Sequence, residues 1–200
     1  MKILLLGGFL GSGKTSVLLP LAKYMTEHST HEGTRVAIIE NEIGDVSIDG
    51  ITLRNAGLSV QELFSGCICC SLGTELISGL KQLEETQAPD WVIIEASGVA
   101  CPGAVAETIR QFMPHIQTIR RVTICDAERL YRLLQAIKYI APQQVEEAEY
   151  LLLNKIDLVD EDTLRQAEAT LREYNTEAPI FRICAKNGID DAVFAAVIGG

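Results

Sequence analysis

The sequence predicts an α/β fold, namely a doubly wound, mostly parallel β-sheet with helices on both faces. Short apolar runs alternate with helical stretches along the 200 residues, and strands that are apolar throughout are typical of a sheet buried on both faces. The predicted strands are Lys2–Leu6, Arg35–Ile39, Trp91–Ile94, Arg121–Ile124, Tyr150–Leu153 and Ile180–Ile183. The predicted helices span residues 14–28, 72–85, 102–112, 127–139, 160–173 and 188–197.

The first predicted strand leads into a glycine-rich loop and then a helix. Residues 8–15 read G-F-L-G-S-G-K-T, a pattern whose backbone N–H groups cradle phosphate oxygens. Lys14 is expected to supply positive charge near the β- and γ-phosphates, and the Thr15 hydroxyl to ligate Mg²⁺. The expected phosphate contacts are Gly8, Gly11, Ser12, Gly13, Lys14, Thr15 and Ser16. Because the helix directs its positive end at the phosphates, this order of elements predicts a P-loop NTPase.

The segment from residue 40 to residue 70 interrupts the alternation. Residues 40–50 are acidic and punctuated by glycine, so we expect a long loop, with a short hairpin near residues 51–53. Long loops in compact domains are usually functional or disordered. This segment lies where the first switch of a nucleotide-binding domain would lie.

Three of the six cysteines, Cys67, Cys69 and Cys70, fall within four residues. This crowding is atypical of a secreted disulfide framework and indicates metal-binding or redox-active thiols in a reducing compartment. Thiolates suit a soft or borderline metal such as Zn²⁺ or Cu⁺, but a tetrahedral site needs a further ligand from a carboxylate, a histidine, water or a second chain. The nearby carboxylates are Glu40, Glu42 and Asp45. The alternatives are small buried residues at a loop–helix junction, or a redox role without the usual Cys-x-x-Cys spacing.

Glu95 and Gly98 follow the strand that ends at Ile94. A carboxylate at this strand end can reach a magnesium ion or its waters, and Gly98 can offer a backbone N–H to a γ-phosphate. The segment is thus expected to act as a second phosphate-sensing switch. The alternative is an exposed loop that caps a helix.

Residues 154–157, Asn-Lys-Ile-Asp, follow another apolar strand and predict a guanine-binding loop. Asp157 can accept hydrogen bonds from both the ring N–H and the exocyclic amine of guanine, a donor pair that adenine lacks. Asn154 would support the loop and the base, and the aliphatic part of Lys155 would lie along the base plane. Ala185 lies in a Cys-Ala-Lys segment that resembles the Ser-Ala-Lys loop of GTPases, whose backbone N–H contacts the guanine oxygen. The alternative is a solvated turn that opens the next helix.

Composition excludes two classes of partner. The formal charge of −10 argues against nucleic-acid binding, which needs a clustered basic surface. Apolar runs are too short to span a membrane, and the N-terminal run is too short for a signal peptide. We therefore expect a cytoplasmic protein in which residues 1–200 form a single GTP-binding domain.

Together these segments resemble the CobW/HypB/UreG family of metal-linked P-loop GTPases. The segments that carry the resemblance are 7–15, 40–49, 66–70, 95–98 and 154–157. The Cys-x-Cys-Cys motif, and the Glu-Asn-Glu stretch that ends in Ile-Asp-Gly, are similar to the CobW branch. CobW proteins usually continue into a C-terminal domain, often rich in histidine. The present sequence is expected to hold one GTP-binding domain, and such a further domain is either naturally absent or was removed.

The resemblance implies that GTP binding and hydrolysis are coupled to delivery of zinc, cobalt or nickel. It implies an ion site at Glu40, Asp45 and Cys69, with Cys67 and Cys70 completing the signature. Catalytic roles are expected for Lys14, Thr15 and Glu95. The implied partners are a client metalloprotein or cofactor-assembly enzyme, and in some members a nucleotide-dependent homodimer. The alternatives are a non-enzymatic zinc-binding regulatory module and an ATP-dependent small-molecule kinase; the guanine-binding loop argues against the kinase.

Overall fold

The computed structural model describes residues 1–28, 34–40, 59–62, 72–116 and 118–199. Within these ranges, seven strands form one sheet: β1 (Lys2–Gly8), β2 (Val36–Glu40), β3 (Ser59–Glu62), β4 (Trp91–Glu95), β5 (Ile119–Asp126), β6 (Tyr150–Asn154) and β7 (Ile180–Arg182). Their order is β3-β2-β4-β1-β5-β6-β7, and every neighbouring pair is parallel. The predicted parallel sheet is confirmed.

The helices of the described residues connect these strands in the manner of an α/β domain. They are α1 (Lys14–Glu27), α2 (Leu72–Thr86), α3 (Pro102–Phe112), α4 (Leu130–Ala136), α5 (Ile140–Glu146), α6 (Glu161–Tyr174) and α7 (Asp191–Gly199). A 3-10 turn, Ile156–Leu158, follows β6. None of the helices in this part of the chain combines the length and the apolar character that crossing a bilayer requires.

Alternate residues of the strands pack into cores on opposite faces of the sheet. On β1, Leu4 and Leu6 join a cluster with residues of α1 and α7, whereas Ile3 and Leu5 join one with α2 and α3. A third cluster packs β6 residues Leu151 and Leu153 against α4, α5 and α6. Because side chains alternate across a strand, each strand has apolar residues on both faces of the sheet. Helices cover both faces, as the apolar strand pattern predicts.

Two elements were not predicted from the sequence. The first is β3, a short edge strand whose Ser59 lies opposite Ala37 of β2; its sequence, S-V-Q-E, lacks the apolar run on which strand prediction relies. The second is α5, which the predicted helix 127–139 does not reach. Pro142 lies in its first turn, where a proline removes no helical hydrogen bond. The hairpin expected near residues 51–53 lies outside the described residues.

Candidate functional site

The predicted phosphate and guanine motifs meet at one edge of the sheet. Since the strands are parallel, their carboxyl ends lie on the same side, and the central strand β1 ends between those of β4 and β5. In such sheets ligands bind beyond the carboxyl ends, where the strand order reverses. A cleft of about 680 Å³ lies there. It is lined by Leu10, Gly11, Gly13, Lys14, Thr15, Ser16, Glu95, Ala96, Ser97, Gly98 and Lys155.

The P-loop has a backbone that requires glycine. Gly8, Gly11 and Gly13 have φ values of 137°, 74° and 99°, in the region that side chains disfavour. A Cβ atom at Gly8 would lie 2.5 Å from the carbonyl oxygen of Ile124. The Ser12 hydroxyl is buried and has no hydrogen-bond partner among the described residues. A phosphate oxygen is a fitting partner for it, so the loop suits the ligand that its sequence predicts.

Lys14 lies inside this loop at the start of α1. Its side chain is buried, and Nζ donates to the carbonyl oxygens of Gly8 at 3.1 Å and Phe9 at 3.4 Å. The ammonium is thereby held beside the loop's own backbone. This is the position from which it can neutralise a bound polyphosphate.

Thr15 and Glu95, predicted from separate motifs, are adjacent in the structure. The Thr15 hydroxyl donates to Glu95 Oε2 at 3.4 Å, and Glu95 Oε1 is 3.5 Å away. The register places this carboxylate near the end of β1, which leads into the P-loop, because Leu6 of β1 lies opposite Glu95 of β4. A hydroxyl and a carboxylate form an all-oxygen donor set, which is what Mg²⁺ prefers. The residues present therefore fit a magnesium ion at this point.

Gly98 lies against the P-loop, as a γ-phosphate-sensing position requires. A Cβ atom on Gly98 would be 2.7 Å from the backbone nitrogen of Leu10. Glycine is therefore needed for this close approach.

The guanine-binding motif is joined directly to the P-loop. Asn154 is buried, and its Nδ2 donates to the Ser12 carbonyl oxygen at 2.8 Å. Its Oδ1 accepts from the Ala185 backbone N–H at 3.0 Å. Asn154 thus fixes the P-loop and the 184–186 segment relative to each other. Asp157 is exposed, and its Oδ1 accepts a hydrogen bond from Cys184 Sγ at 3.0 Å.

A cluster of three charges, formed by Asp126, Arg129 and Lys155, was missed in the sequence. Asp126 ends β5 with a fully buried side chain, and its Oδ2 is 2.8 Å from both Lys155 Nζ and Arg129 Nε. Lys155 Nζ also donates to the Gly11 carbonyl at 2.5 Å, and Arg129 Nη2 to that of Leu10 at 3.3 Å. One carboxylate therefore holds two cations against the P-loop backbone. The signal that marked Glu95, a carboxylate directly after an apolar strand, could have found Asp126.

The cations keep Asp126 ionised despite its position. Burial raises the pKa of Asp126, but the hydrogen bonds and charges of Lys155 and Arg129 outweigh it, so that the pKa is below its ordinary value. Burial, and to a lesser extent the Asp126 charge, raises the pKa of the Cys125 thiol to about 12. Cys125 is therefore a neutral core residue at physiological pH.

We expect Asp126→Asn to destabilise the fold and weaken nucleotide binding. At neutral pH the loss should be about 1–3 kcal/mol of unfolding free energy, since both cations are partly solvated. The difference from the parent should shrink as pH falls below about 4, because a carboxylate with a lowered pKa contributes its stability only while ionised. Urea unfolding at several pH values measures this. Glu128→Gln, an exposed neighbour, is the control; equal midpoints for Asp126→Asn and the parent at pH 7 would contradict the prediction.

The predicted transition-metal ligands lie mostly outside the described residues. This holds for Glu42, Asp45, Cys67, Cys69 and Cys70, whereas the backbone of Glu40 ends β2. Among the side chains that the structure does describe, no three of His, Cys, Asp or Glu are grouped to hold a metal. The β2–β4 register pairs Ile39 with Ile94, so the carboxyl ends of these two strands lie at the same edge of the sheet. The end of β2 therefore lies near the proposed magnesium position.

Comparison with known proteins agrees with this architecture. The family model described as CobW/HypB/UreG, nucleotide-binding domain, matches residues 2–182. The chain belongs to the CobW/HypB/UreG family. The family predicted from the motifs is thereby confirmed, and relatives named as zinc chaperones support the CobW branch.

Two relatives and one solved structure illustrate the family. The zinc chaperone YjiA of Escherichia coli K12 is 30% identical over 193 residues, which cover 92% of this chain and 57% of that protein. The zinc-regulated GTPase metalloprotein activator 1 of Dictyostelium discoideum is 28% identical, covering 91% and 45%. The hydrogenase maturation factor HypB of Archaeoglobus fulgidus has a TM-score of 0.71 at 17% identity, covering 100% and 89%, and supports the fold alone. The chain spans about half the length of these two curated relatives.

Proposed function

We propose that residues 1–200 act as one GTP-binding domain that binds and slowly hydrolyses Mg²⁺–GTP and couples nucleotide state to the binding or delivery of a transition metal. The observation that carries this is the junction of two motifs: Asn154 of the guanine-binding loop donates to the Ser12 carbonyl of the P-loop. Asn154 and Ser12 are 142 residues apart in sequence, and their contact supports one continuous nucleotide site. The Asn-Lys-x-Asp loop selects GTP over ATP.

Each nucleotide contact is assigned to a residue type that suits it. The backbone from Gly8 to Ser12 surrounds the phosphates, and Lys14 neutralises their charge. The Thr15 hydroxyl and the Glu95 carboxylate hold Mg²⁺, which shields phosphate charge when it is bound. Gly98 meets the γ-phosphate, and Ser16 completes the phosphate end of the cleft. Asp157, Asn154 and the backbone of Ala185 recognise the base.

Hydrolysis is expected to be slow in the isolated domain. Among the described residues, the cleft is lined by neither glutamine nor arginine, and the neighbouring Arg129 is already paired with Asp126 and with the Leu10 carbonyl. Those residue types orient the attacking water or stabilise transition-state charge in fast P-loop enzymes. A client metalloprotein, a cofactor-assembly enzyme or a second copy of the chain would then complete the site.

The crowded thiols favour a reducing compartment such as the cytoplasm.

The transition metal is proposed to bind the acidic segment and the cysteine cluster. The ligands are drawn from Glu40, Glu42, Asp45, Cys67, Cys69 and Cys70. A mixed sulfur and oxygen site suits zinc, cobalt or nickel, and the names of the YjiA and Dictyostelium relatives favour zinc. The segment begins beside Glu95, because β2 and β4 are neighbours and adjacent strands are about 4.8 Å apart. Binding of a γ-phosphate near Glu95 would therefore change the positions of the metal ligands in this segment.

We expect metal affinity to depend on the bound nucleotide. A titration of Zn²⁺ or Co²⁺ against a chromophoric chelator should give affinities that differ by about 5- to 150-fold between the GTP-analogue and GDP states. By reciprocity, the metal should change the affinity for the analogue relative to GDP by the same factor. Replacing Cys67, Cys69 and Cys70 by Ser should erase the difference and leave GDP binding nearly unchanged.

Cys101→Ser is the matched control, since it removes a thiol outside the cluster and should keep the coupling. Superimposable titration curves in the two nucleotide states would remove the basis for a metallochaperone. If the parent protein binds zinc but shows no GTP hydrolysis, the result would instead favour the non-enzymatic regulatory module.

A further inference from the structure

Gln144 connects α5 to the loop that follows β4. Its side chain is fully buried, and Nε2 donates to the carbonyl oxygens of Ala100 at 2.6 Å and Gly98 at 3.3 Å. The loop is a tight turn, because the Ala100 N–H donates to the Ser97 carbonyl at 3.0 Å. A single amide group therefore holds two carbonyls of this turn.

The glutamine is itself anchored to the sheet. The Thr123 hydroxyl on β5 donates to the backbone carbonyl of Gln144 at 2.8 Å. Gln144 thereby connects the central region of the sheet to the loop through two hydrogen-bonded steps. The loop's position is fixed relative to β5, which adjoins β1 and the P-loop.

Packing by itself does not explain a glutamine at this position. The Gln144 Oε1 atom is buried and has no partner among the described residues. A buried acceptor without a partner destabilises a fold, so an apolar side chain of the same shape would pack at least as well. Glutamine differs from an apolar side chain of this shape in its Nε2 group, which donates to the two carbonyls of the turn.

The turn held by Gln144 contains the glycine that faces the P-loop. Gly98 lines the cleft and approaches the Leu10 backbone so closely that no Cβ atom would fit. Fixing the Gly98 carbonyl restricts the orientation of the adjoining peptides. The same restriction limits the directions in which the Gly98 N–H can point.

We propose that Gln144 is a positioning residue for γ-phosphate recognition: it holds the 97–100 turn so that the Gly98 N–H meets the γ-phosphate. The inference rests on the proposed GTP binding and deepens it. Diphosphate recognition uses the P-loop and the guanine-binding loop and does not involve this turn. Loss of the Gln144 amide should therefore affect GTP and leave GDP nearly untouched.

The test is Gln144→Met, which keeps the length of the side chain and removes the donor. Calorimetry should show the affinity for a non-hydrolysable GTP analogue falling about 5- to 30-fold relative to that for GDP, with GDP affinity within about twofold of the parent. The rate of single-turnover GTP hydrolysis at saturating protein should fall as well. The unfolding midpoint reports whether Gln144→Met folds. If it does not, Gln144→Asn is the second variant, because its side chain is smaller and its donor lies one carbon farther from the turn.

Gln143→Met is the matched control, because it makes the same substitution at the adjacent position of α5, where the amide pairs with the side chains of Glu147 and Cys101. It should leave the ratio of GTP-analogue to GDP affinity unchanged. A parent-like ratio in the Gln144 variants, or equal losses for both nucleotides, would overturn the inference and leave the proposed function standing. Failure of the parent protein to bind the analogue would overturn both.

Discussion

Lys14→Ala is expected to abolish measurable GTP hydrolysis and to weaken GTP-analogue binding more than GDP binding. The Lys14 ammonium is held at the P-loop carbonyls of Gly8 and Phe9, where the β- and γ-phosphates are proposed to bind. Removing it leaves developing negative charge at the γ-phosphate without its main protein cation, so turnover should fall by about 10²-fold or more. Phosphate release under single-turnover conditions measures the first effect, and calorimetry with both nucleotides measures the second.

Lys23→Ala provides the control for Lys14→Ala. Lys23 lies in the same helix, is exposed, and pairs with Glu27 at 3.7 Å, so its removal changes net charge equally and leaves the cleft intact. It should retain parent turnover. Parent-like hydrolysis in Lys14→Ala would place the chemistry outside this cleft, and it would also contradict the roles proposed for Thr15 and Glu95.

Asp157→Asn should change base preference from guanine towards xanthine. In the proposed site the Asp157 carboxylate accepts from two guanine donors. An asparagine amide accepts one hydrogen bond and donates one, which matches the ring N–H and the 2-oxo group of xanthine. Sites that pair such donors discriminate strongly, because the wrong base leaves polar groups unpaired. We expect GTP affinity to fall by about 10²- to 10⁴-fold and XTP affinity to rise. Competition calorimetry with GTP, XTP and ATP measures the change.

Asp162→Asn is the control for this substitution, since Asp162 is an exposed residue of α6 that pairs with Arg165 away from the base loop. It should leave base preference unchanged. The Cys184 thiol, which donates to Asp157 Oδ1, can donate equally to the Asn oxygen, so loss of that contact does not confound the result. Equal affinity of the parent protein for GTP and ATP would contradict the assignment of residues 154–157.

Much of the fold follows from local sequence. Apolar runs of strand length, separated by helical stretches, indicate a parallel sheet covered on both faces, because each strand must bury two sides. The P-loop and the Asn-Lys-x-Asp loop are equally local, since each functions through consecutive residues whose backbone or side chains contact one part of a nucleotide. Local sequence could therefore predict five candidate site residues: Lys14, Thr15, Glu95, Gly98 and Asp157. In the structure, all of these except Asp157 line the cleft.

The contacts between these motifs depend on strand order, which periodicity does not contain. Asp126 can pair with Arg129 and Lys155 beside the P-loop only because β5 lies between β1 and β6. Gln144 reaches Gly98 from a helix whose short, proline-containing sequence gives no strong periodic signal. Such side chains have no local signature, because their role comes from partners that are distant in the chain. Sequence alone thus predicted the groups that would contact a nucleotide, and the packing of the sheet revealed the side chains that hold their loops together.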